Sequence, residues 1–388
     1  MEDENKKITD YAFDTVDKYV KILSGIEKRY LKEKIEQLSS KYNSLMELKK
    51  TKKSAHEIDS MFFCFEDLPP TGKEYWFMTY VSTKPEDKRQ LLVMFGRTCE
   101  SVKINRKEII NRNYLNSVRR FSKSADFEKC EGRNGYITVW SYTDRKNLIL
   151  EDECSISINS GGLMVSARQN KVNVHYNGKF PDYSFTLSKR NKEIANFKIT
   201  ESTAHSKSFE FSSYFKLFAG FALINLYFDF TGTLNGENFM GKCYVQKVVV
   251  IGPFVPWYWG RIVFSNGSVL TYFEPRIEIL MFEHKIRSIL EFYAHSKAQT
   301  YIFKNLNIKK FGKKNQRWLI TANEGKGKIS ISLKSYASHK FIFEKIGLFT
   351  YIEYLCEVTN ISVEGFDIDT KNLGSGFGLI EDARGYIL

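Results

Sequence analysis

Hydrophobic positions near the N-terminus recur at helical spacing. Between residues 11 and 50, apolar side chains return every three, four or seven residues, and charged residues fill the positions between them. This spacing predicts an amphipathic helix, which can pack on the body of the protein, pair with another subunit or lie on a membrane surface. The apolar positions are Phe13, Val16, Val20, Leu23, Tyr30, Ile35, Leu38, Tyr42 and Leu45.

From about residue 61 the pattern changes to short apolar or alternating runs separated by turn residues, such as EYWFMTYVST and GYITVWSYTD. This texture predicts roughly 18 to 22 strands. Asn-Gly pairs at residues 234–237 and 265–268 lie between apolar runs, which is a strong local signal for a hairpin. The strands are too many for one small barrel, so two successive antiparallel barrels or sandwiches are expected after the helix.

Composition agrees with an all-β chain that has a large core. Of 388 residues, 43% are hydrophobic and 27% are charged, and Phe (31) and Tyr (22) far outnumber Pro (7). Aromatic residues favour strands, and scarce proline argues against disordered linkers.

The net charge of +13 suggests three alternatives: a nucleic-acid partner, an anionic membrane surface, or solubility alone. The densest basic stretch, residues 304–345, holds eleven Lys or Arg residues and two Glu. It can face phosphates or be a solvated connection between strands. No helix-turn-helix, zinc-knuckle or RNA-binding signature accompanies it, so the sequence does not favour nucleic acid as a partner.

Six cysteines are scattered along the chain without a Cys-x-x-Cys pair or a histidine at metal-binding spacing. They are typical of buried thiols in a reducing compartment. The charged N-terminus predicts no signal peptide, so a cytoplasmic protein, in contact with a membrane at most peripherally, is expected. The glycine-rich GSGFG at residues 374–378 lies between late strands and not before a helix, so neither a nucleotide site nor any other cofactor or metal is predicted.

The segment from Pro253 to Arg276 concentrates flat aromatic surface beside charged groups. Strand alternation places Trp257, Trp259 and Arg261 on one face, and Tyr272 and Glu274 also share a face. The segment can therefore form the wall of a pocket or part of a core between barrels.

Several motifs resemble one family in the right order. They are KEYWFMTY from residue 73, FTGTLNGENFMGKCYVQKV from residue 230, PWYWGRIVFSNGSVLTYF from residue 256, and TYIEYLCEVTNISVEG with GSGFGLIEDARGYI near the end. Together they resemble the AttH / carotenoid 1,2-hydratase family, also called hydroxyneurosporene synthase-like. The resemblance implies a pair of lipocalin-like β-barrels, here expected as residues 56–230 and 231–388 after a helical extension of residues 1–55.

The resemblance also implies an apolar cavity that takes a carotenoid-like, isoprenoid or lipid molecule. One part of the family pattern is missing, because Tyr244 is followed by VQKVV and no histidine occurs between His205 and His284. The family's later Tyr-x-Asp is represented by Tyr272 and Glu274.

If the protein is an enzyme that uses acid catalysis, Glu274 is the predicted proton donor, with Tyr272 and Tyr244 as catalytic partners. A carboxyl group in an apolar barrel stays protonated near neutral pH, and aromatic faces stabilise a nearby carbocation. Hydration, isomerisation or cyclisation by a lyase or isomerase would follow. Pairing of Arg261 with Glu274 would instead lower the pKa of that acid and remove its role.

A non-catalytic carrier of a lipid or isoprenoid uses the same residues for binding alone. The predicted ligand-binding residues are Gln246, Lys247, Trp257, Tyr258, Trp259, Arg261, Trp76, Trp140 and Tyr142. Glu353 and Glu381 near the C-terminus are expected to tie the last strands together, with Arg384 as a partner, and not to do chemistry.

Overall fold

The computed structural model describes most of the chain. The described residues are 28–47, 55–69, 71–98, 102–109, 133–143, 146–159, 161–202, 208–216, 219–252, 256–279, 282–285, 288–312, 316–345 and 347–387. Of the predicted N-terminal helix, residues 11–27 and 48–50 lie outside this set.

Two α-helices precede the strands in the described chain, α1 (Lys28–Glu47) and α2 (Ala55–Phe62). Ile35, Leu38 and Tyr42 of α1 join the core of the first barrel, and Tyr42 stacks on Phe211 with ring centroids 5.6 Å apart. Of the three roles open to the predicted helix, its described part therefore packs on the body of the protein. Neither described helix is long and apolar enough to cross a membrane.

Strands make up most of the rest. They are β1 (Gly72–Ser82), β2 (Gln90–Thr98), β3 (Val102–Ile104), β4 (Lys107–Ile109), β5 (Arg133–Thr143), β6 (Lys146–Asn159), β7 (Gly162–Ala167), β8 (Val172–Lys179), β9 (Asp182–Lys189), β10 (Lys192–Glu201), β11 (Phe209–Lys216), β12 (Ala219–Leu234), β13 (Glu237–Ile251), β14 (Trp257–Phe264), β15 (Val269–Ile279), β16 (Phe282–Lys285), β17 (Ile289–Ala294), β18 (Gln299–Phe311), β19 (Arg317–Glu324), β20 (Gly327–Lys345), β21 (Gly347–Glu364) and β22 (Gly376–Ile387).

The first sheet closes into an antiparallel barrel. Its strands follow the order β10-β9-β8-β7-β6-β5-β2-β1-β13-β12, and β10 pairs again with β12 through contacts such as Phe197 with Gly232. The other half of β12 pairs with β11 at the edge of the sheet. Closure leaves few free strand edges and encloses a large aromatic core.

The second sheet closes in the same way, through β14-β15-β17-β18-β19-β20-β21-β22 and back to β14. It also recruits an outside hairpin, because β3 pairs with β20 and β4 with β3. This hairpin follows β2 in the chain, so the first half of the sequence contributes strands to the second sheet.

The predicted all-β fold with two successive barrels is confirmed. The predicted division after residue 230 lies inside β12, and the chain changes from one barrel to the other between Ile251 and Trp257. The first Asn-Gly turn has the positive φ angles that its sequence predicts, 54° at Asn235 and 84° at Gly236.

Candidate functional site

A cavity lies between the two barrels. The volume of this cavity is about 120 Å³, which is enough for several water molecules or part of a small organic molecule. Aromatic rings dominate its wall, which both barrels supply. The lining side chains come from Lys73, Glu74, Tyr75, Phe77, Met94, Phe95, Arg97, Thr98, Val102, Ile104, Ile109, Asn134, Tyr136, Gln246, Trp257, Phe343, Phe349, Tyr351 and Glu381.

Glu381 is the carboxyl group that the second barrel places in this wall. It lies on β22, directly across the ladder from Trp259, and accepts a hydrogen bond of 2.8 Å from the indole Nε1 of Trp257. Burial raises the pKa of Glu381 to about 7, although hydrogen bonds from Trp257 and Tyr351 oppose the rise. Near neutral pH this group therefore exists in both its protonated and its ionised form.

Glu353 is the cross-strand neighbour of Glu381, on β21. Its side chain is fully buried, and its Oε1 accepts a hydrogen bond of 2.8 Å from the Tyr351 hydroxyl. Burial raises the pKa of Glu353 well above its usual range, and the Glu381 carboxyl adds to the rise. Its Oε2 has no hydrogen-bond partner among the described residues. Glu353 is thus a buried, protonated acid beside a second acid that can ionise.

The first barrel faces this acid pair with a small polar group. Gln246 Nε2 donates to the Tyr244 hydroxyl at 2.8 Å and to Asn225 Oδ1 at 2.9 Å. The Tyr244 ring stacks on Trp259 with centroids 5.5 Å apart. The Gln246 side chain lines the cavity, and its hydrogen bond to the Tyr244 hydroxyl fixes its position there.

Cations at another part of the cavity are already paired. Arg97 lies 2.8 Å from Glu74 in a buried ion pair, and Lys73 donates to the Gly252 carbonyl at 2.8 Å. The charge of Arg97 is therefore compensated by a carboxylate, and the Lys73 ammonium is hydrogen-bonded to the backbone of the first barrel. Glu381, with its pKa of about 7, changes charge near neutral pH.

The sheet of the second barrel separates Glu274 and Tyr272 from the two tryptophans with which they were predicted to share a pocket. Tyr258 is directly opposite Glu274 in the ladder, and Tyr258 and Tyr272 belong to the core inside the second barrel. Trp257 and Trp259 project from the other face, toward the first barrel. The grouping of Glu274 and Tyr272 with the two tryptophans is corrected accordingly, because alternate strand positions face opposite sides.

Arg261 shares the outward face of Trp259, as strand alternation predicts. It is buried, donates to Thr271 Oγ1 at 3.1 Å, and lies over the rings of Tyr227 and Tyr244 at 5.0 and 5.2 Å. It does not take the position beside Glu274 that the sequence left open, because Glu274 points into the barrel.

Lys247 and Trp76 lie inside the first barrel and not in the cavity. The Lys247 ammonium donates to the carbonyls of Met61 at 3.0 Å and Cys64 at 2.7 Å, and it lies 3.1 Å from Glu74. The Trp76 indole donates to the Phe62 carbonyl at 3.2 Å. Both side chains therefore hold the end of α2 and the residues that follow it against the barrel interior, which corrects their assignment to the predicted pocket.

Trp140 and Tyr142 face the second barrel, not the interior of the first. Both belong to a core between the barrels, where Tyr142 contacts Tyr336 with ring centroids 4.8 Å apart. Of the predicted site residues, the structure places Gln246 and Trp257 in the cavity wall, with Tyr244 and Trp259 directly behind it.

Glu381 and its neighbour Glu353, expected from the sequence only to tie the last strands together, lie beside the cavity. Their expected partner, Arg384, does bind a nearby carboxylate, with Nε 3.0 Å from Oδ1 of Asp382. Asp382, however, points into the barrel while Glu381 points out of it. Alternation along β22 could have predicted that Glu381 and Asp382 face opposite sides of the sheet. The proximity of Glu353 to Glu381 could not be predicted in this way, because it depends on the register between β21 and β22.

No protein-family model matches the chain. No curated protein matches it either.

Three solved structures are similar in architecture. A candidate AttH from Nitrosomonas europaea is 11% identical, with a TM-score of 0.44 over 84% of this chain and 96% of that one. CghA with Sch210972 is 9% identical, with a TM-score of 0.45 over 82% and 90%. Kievitone hydratase from Nectria haematococca is 12% identical, with a TM-score of 0.36 over 83% and 93%.

Proposed function

We propose that this protein binds a hydrophobic, isoprenoid-like molecule between its barrels and acts on it by acid catalysis, with Glu381 as the proton donor. The observation that carries the proposal is a buried pair of carboxyl groups beside an aromatic cavity. Hydration, isomerisation and cyclisation of an alkene all begin with transfer of a proton to carbon, so the reaction would be that of a lyase or an isomerase.

The pair suits this step because its two members differ. Glu353 keeps its proton, so that it can donate a hydrogen bond to the carboxylate that Glu381 becomes after donation. Carboxyl groups whose pKa lies near the working pH are the most effective general acids. The ionised Glu381 can then take a proton back from the cationic intermediate or from an attacking water.

The aromatic wall meets the second requirement, which is to stabilise the positive charge of the intermediate. The rings of Trp257, Tyr351 and Phe349 belong to one cluster, with Trp257 5.3 Å from Phe349 and 5.9 Å from Tyr351. A ring face stabilises a nearby cation by about 0.5–2 kcal/mol. The same rings exclude water and bury an apolar ligand.

Two matched substitutions test the proposal. Purified protein would be extracted to identify bound lipid, then incubated with isoprenoid alkenes, and the products would be measured by mass spectrometry. Glu381→Gln is expected to reduce turnover by roughly 10²–10⁴-fold and to retain the ligand. Glu274→Gln, on the far side of the sheet, is expected to keep turnover.

The outcome also separates an enzyme from a carrier. Ligand retained by the native protein and by both variants, with no product from any of them, would establish the non-catalytic carrier instead. If only Glu274→Gln loses turnover, the proton donor is Glu274, as predicted from the sequence, and not Glu381.

A further inference from the structure

The outer face of the second barrel carries a cluster of cations where β18 ends and β19 begins. Phe311 on β18 is directly opposite Arg317 on β19, and Arg317 is opposite Lys334 on β20. The next row on this face begins with Lys309 opposite Leu319. Directly opposed residues in antiparallel strands project to the same side of the sheet. These five side chains therefore form one continuous surface, the basic patch.

Alternation along β19 fixes the orientation of the basic patch. Trp318 and Ile320 belong to the core inside the second barrel, so Arg317 and Leu319, which alternate with them, project outward. The Phe311 side chain is 48% exposed. The patch therefore presents an accessible aromatic ring together with its cations.

The three cations of the basic patch lack acidic partners. Lys309 and Arg317 are exposed and Lys334 is half-buried, and none of them forms an ion pair or a side-chain hydrogen bond with another described residue. Glu357 is directly opposite Lys334 on β21, but its carboxylate is bound by Lys88. The patch therefore holds three uncompensated positive charges.

Acids accompany the cations at the other end of the same strands. Lys304 pairs with Glu324 at 2.8 Å, and Lys328 is directly opposite Glu364. The basic patch differs from that end because it combines uncompensated cations with exposed apolar surface.

We propose that the basic patch docks on an anionic phospholipid surface. Lysine and arginine side chains attract anionic headgroups, and an apolar side chain beside them can enter the boundary between headgroups and acyl chains. Phe311 and Leu319 supply the apolar contact, and the three cations surround it. This docking does not depend on the reaction proposed for Glu381.

A lipid surface fits the basic patch better than a nucleic acid does. Single-stranded nucleic acid is bound in a basic groove through successive aromatic rings, on which the bases stack. The patch has one ring, Phe311, and its other apolar side chain, Leu319, is aliphatic. It also lies on the outer wall of a barrel, which is convex.

Co-sedimentation of the full chain with vesicles tests the proposal. The protein should bind vesicles of phosphatidylcholine with phosphatidylserine and not vesicles of phosphatidylcholine alone. Lys309→Gln combined with Arg317→Gln is expected to weaken this binding by about 30-fold, because each cation contributes roughly a factor of 5 near an anionic membrane. Phe311→Ser should weaken it by about 10-fold. Lys192→Gln combined with Lys198→Gln, at exposed positions of β10 in the first barrel, removes the same charge and should bind as the native protein does.

Equal binding by the native protein and by the variant of Lys309 and Arg317 would overturn the inference, as would a native protein that does not sediment with anionic vesicles. Binding to single-stranded RNA at physiological salt, without binding to vesicles, would assign the patch to nucleic acid instead. The substituted side chains are exposed, so urea unfolding should show native stability. If the double variant does not fold, Phe311→Ser takes its place, and native binding by that variant would then overturn the inference.

Discussion

The indole of Trp257 donates a 2.8 Å hydrogen bond to the carboxyl group of Glu381 across the interface of β14 and β22. One member of the aromatic wall is thereby fixed to the acid that the wall surrounds. Burial raises the pKa of Glu381, and this hydrogen bond limits the rise by favouring the ionised form.

Replacing Trp257 by Phe should raise the pKa of Glu381. The variant keeps most of the apolar surface but removes the donor that stabilises the carboxylate. Infrared spectra collected across pH should show the protonated carboxyl band of Glu381 persisting to higher pH. Trp140→Phe is the control, because its indole bonds Asn147 and not Glu381; an equal shift in both variants would contradict the assignment.

Glu381 should make the protein less stable as pH rises. Its pKa is raised from 4.5 to about 7 on folding, so the folded state binds the proton more tightly. The resulting stabilisation is fully present below pH 4.5 and is lost as the pH rises through 7, a change of roughly 3 kcal/mol.

Urea unfolding at pH 5 and pH 8 checks this linkage. The difference between the two free energies of unfolding should shrink in Glu381→Gln and persist in Glu364→Gln, which alters an exposed carboxyl group. An identical pH dependence in the native protein and Glu381→Gln would show that Glu381 has an ordinary pKa.

Lys247→Met should destabilise the first barrel by about 3–5 kcal/mol, because it removes the buried cation that Glu74 and Glu66 share and leaves each carboxylate with one partner, Arg97 or Lys41. Those carboxylates help to raise the pKa of Lys247 despite its burial. Equilibrium unfolding in urea measures the loss. Lys328→Met, at an exposed position of β20, is the control. A stable variant that had lost only ligand retention would restore Lys247 to a binding role.

Tyr272→Phe should be neutral or slightly stabilising. The Tyr272 hydroxyl is buried inside the second barrel and has no hydrogen-bond partner among the described residues. Removal of an unsatisfied polar atom costs little, whereas Tyr351→Phe removes a bond to Glu353 and should cost about 1 kcal/mol. Thermal unfolding and turnover compare the two. Lost activity in Tyr272→Phe with unchanged stability would support the catalytic role predicted from sequence.

Local patterns were sufficient for much of the architecture. The strand texture predicted an all-β chain of about the observed strand number, and Asn235-Gly236 predicted its hairpin because few other residues adopt those φ angles. Alternation also placed Trp257, Trp259 and Arg261 correctly on one face. Each of these features depends on neighbours in sequence.

The site depended on information that one strand does not contain. Whether Glu274 faces the barrel interior or its exterior is set by which side of the sheet meets the core, and aromatic residues occur on both sides here. Glu353 and Glu381 are separated by 27 residues in sequence and become neighbours through the register of β21 with β22. The insertion of β3 and β4 into the second sheet was equally invisible to local pattern.

The titration of Glu381 itself is the decisive test of the buried acid. Protein labelled with ¹³C at the glutamate side-chain carboxyl carbon would be followed by NMR across pH, and the Glu381 resonance would be assigned by its loss in Glu381→Gln. We expect a midpoint of about 7. A midpoint near 4.5, the ordinary value for an exposed glutamate, would contradict the account of the acid pair.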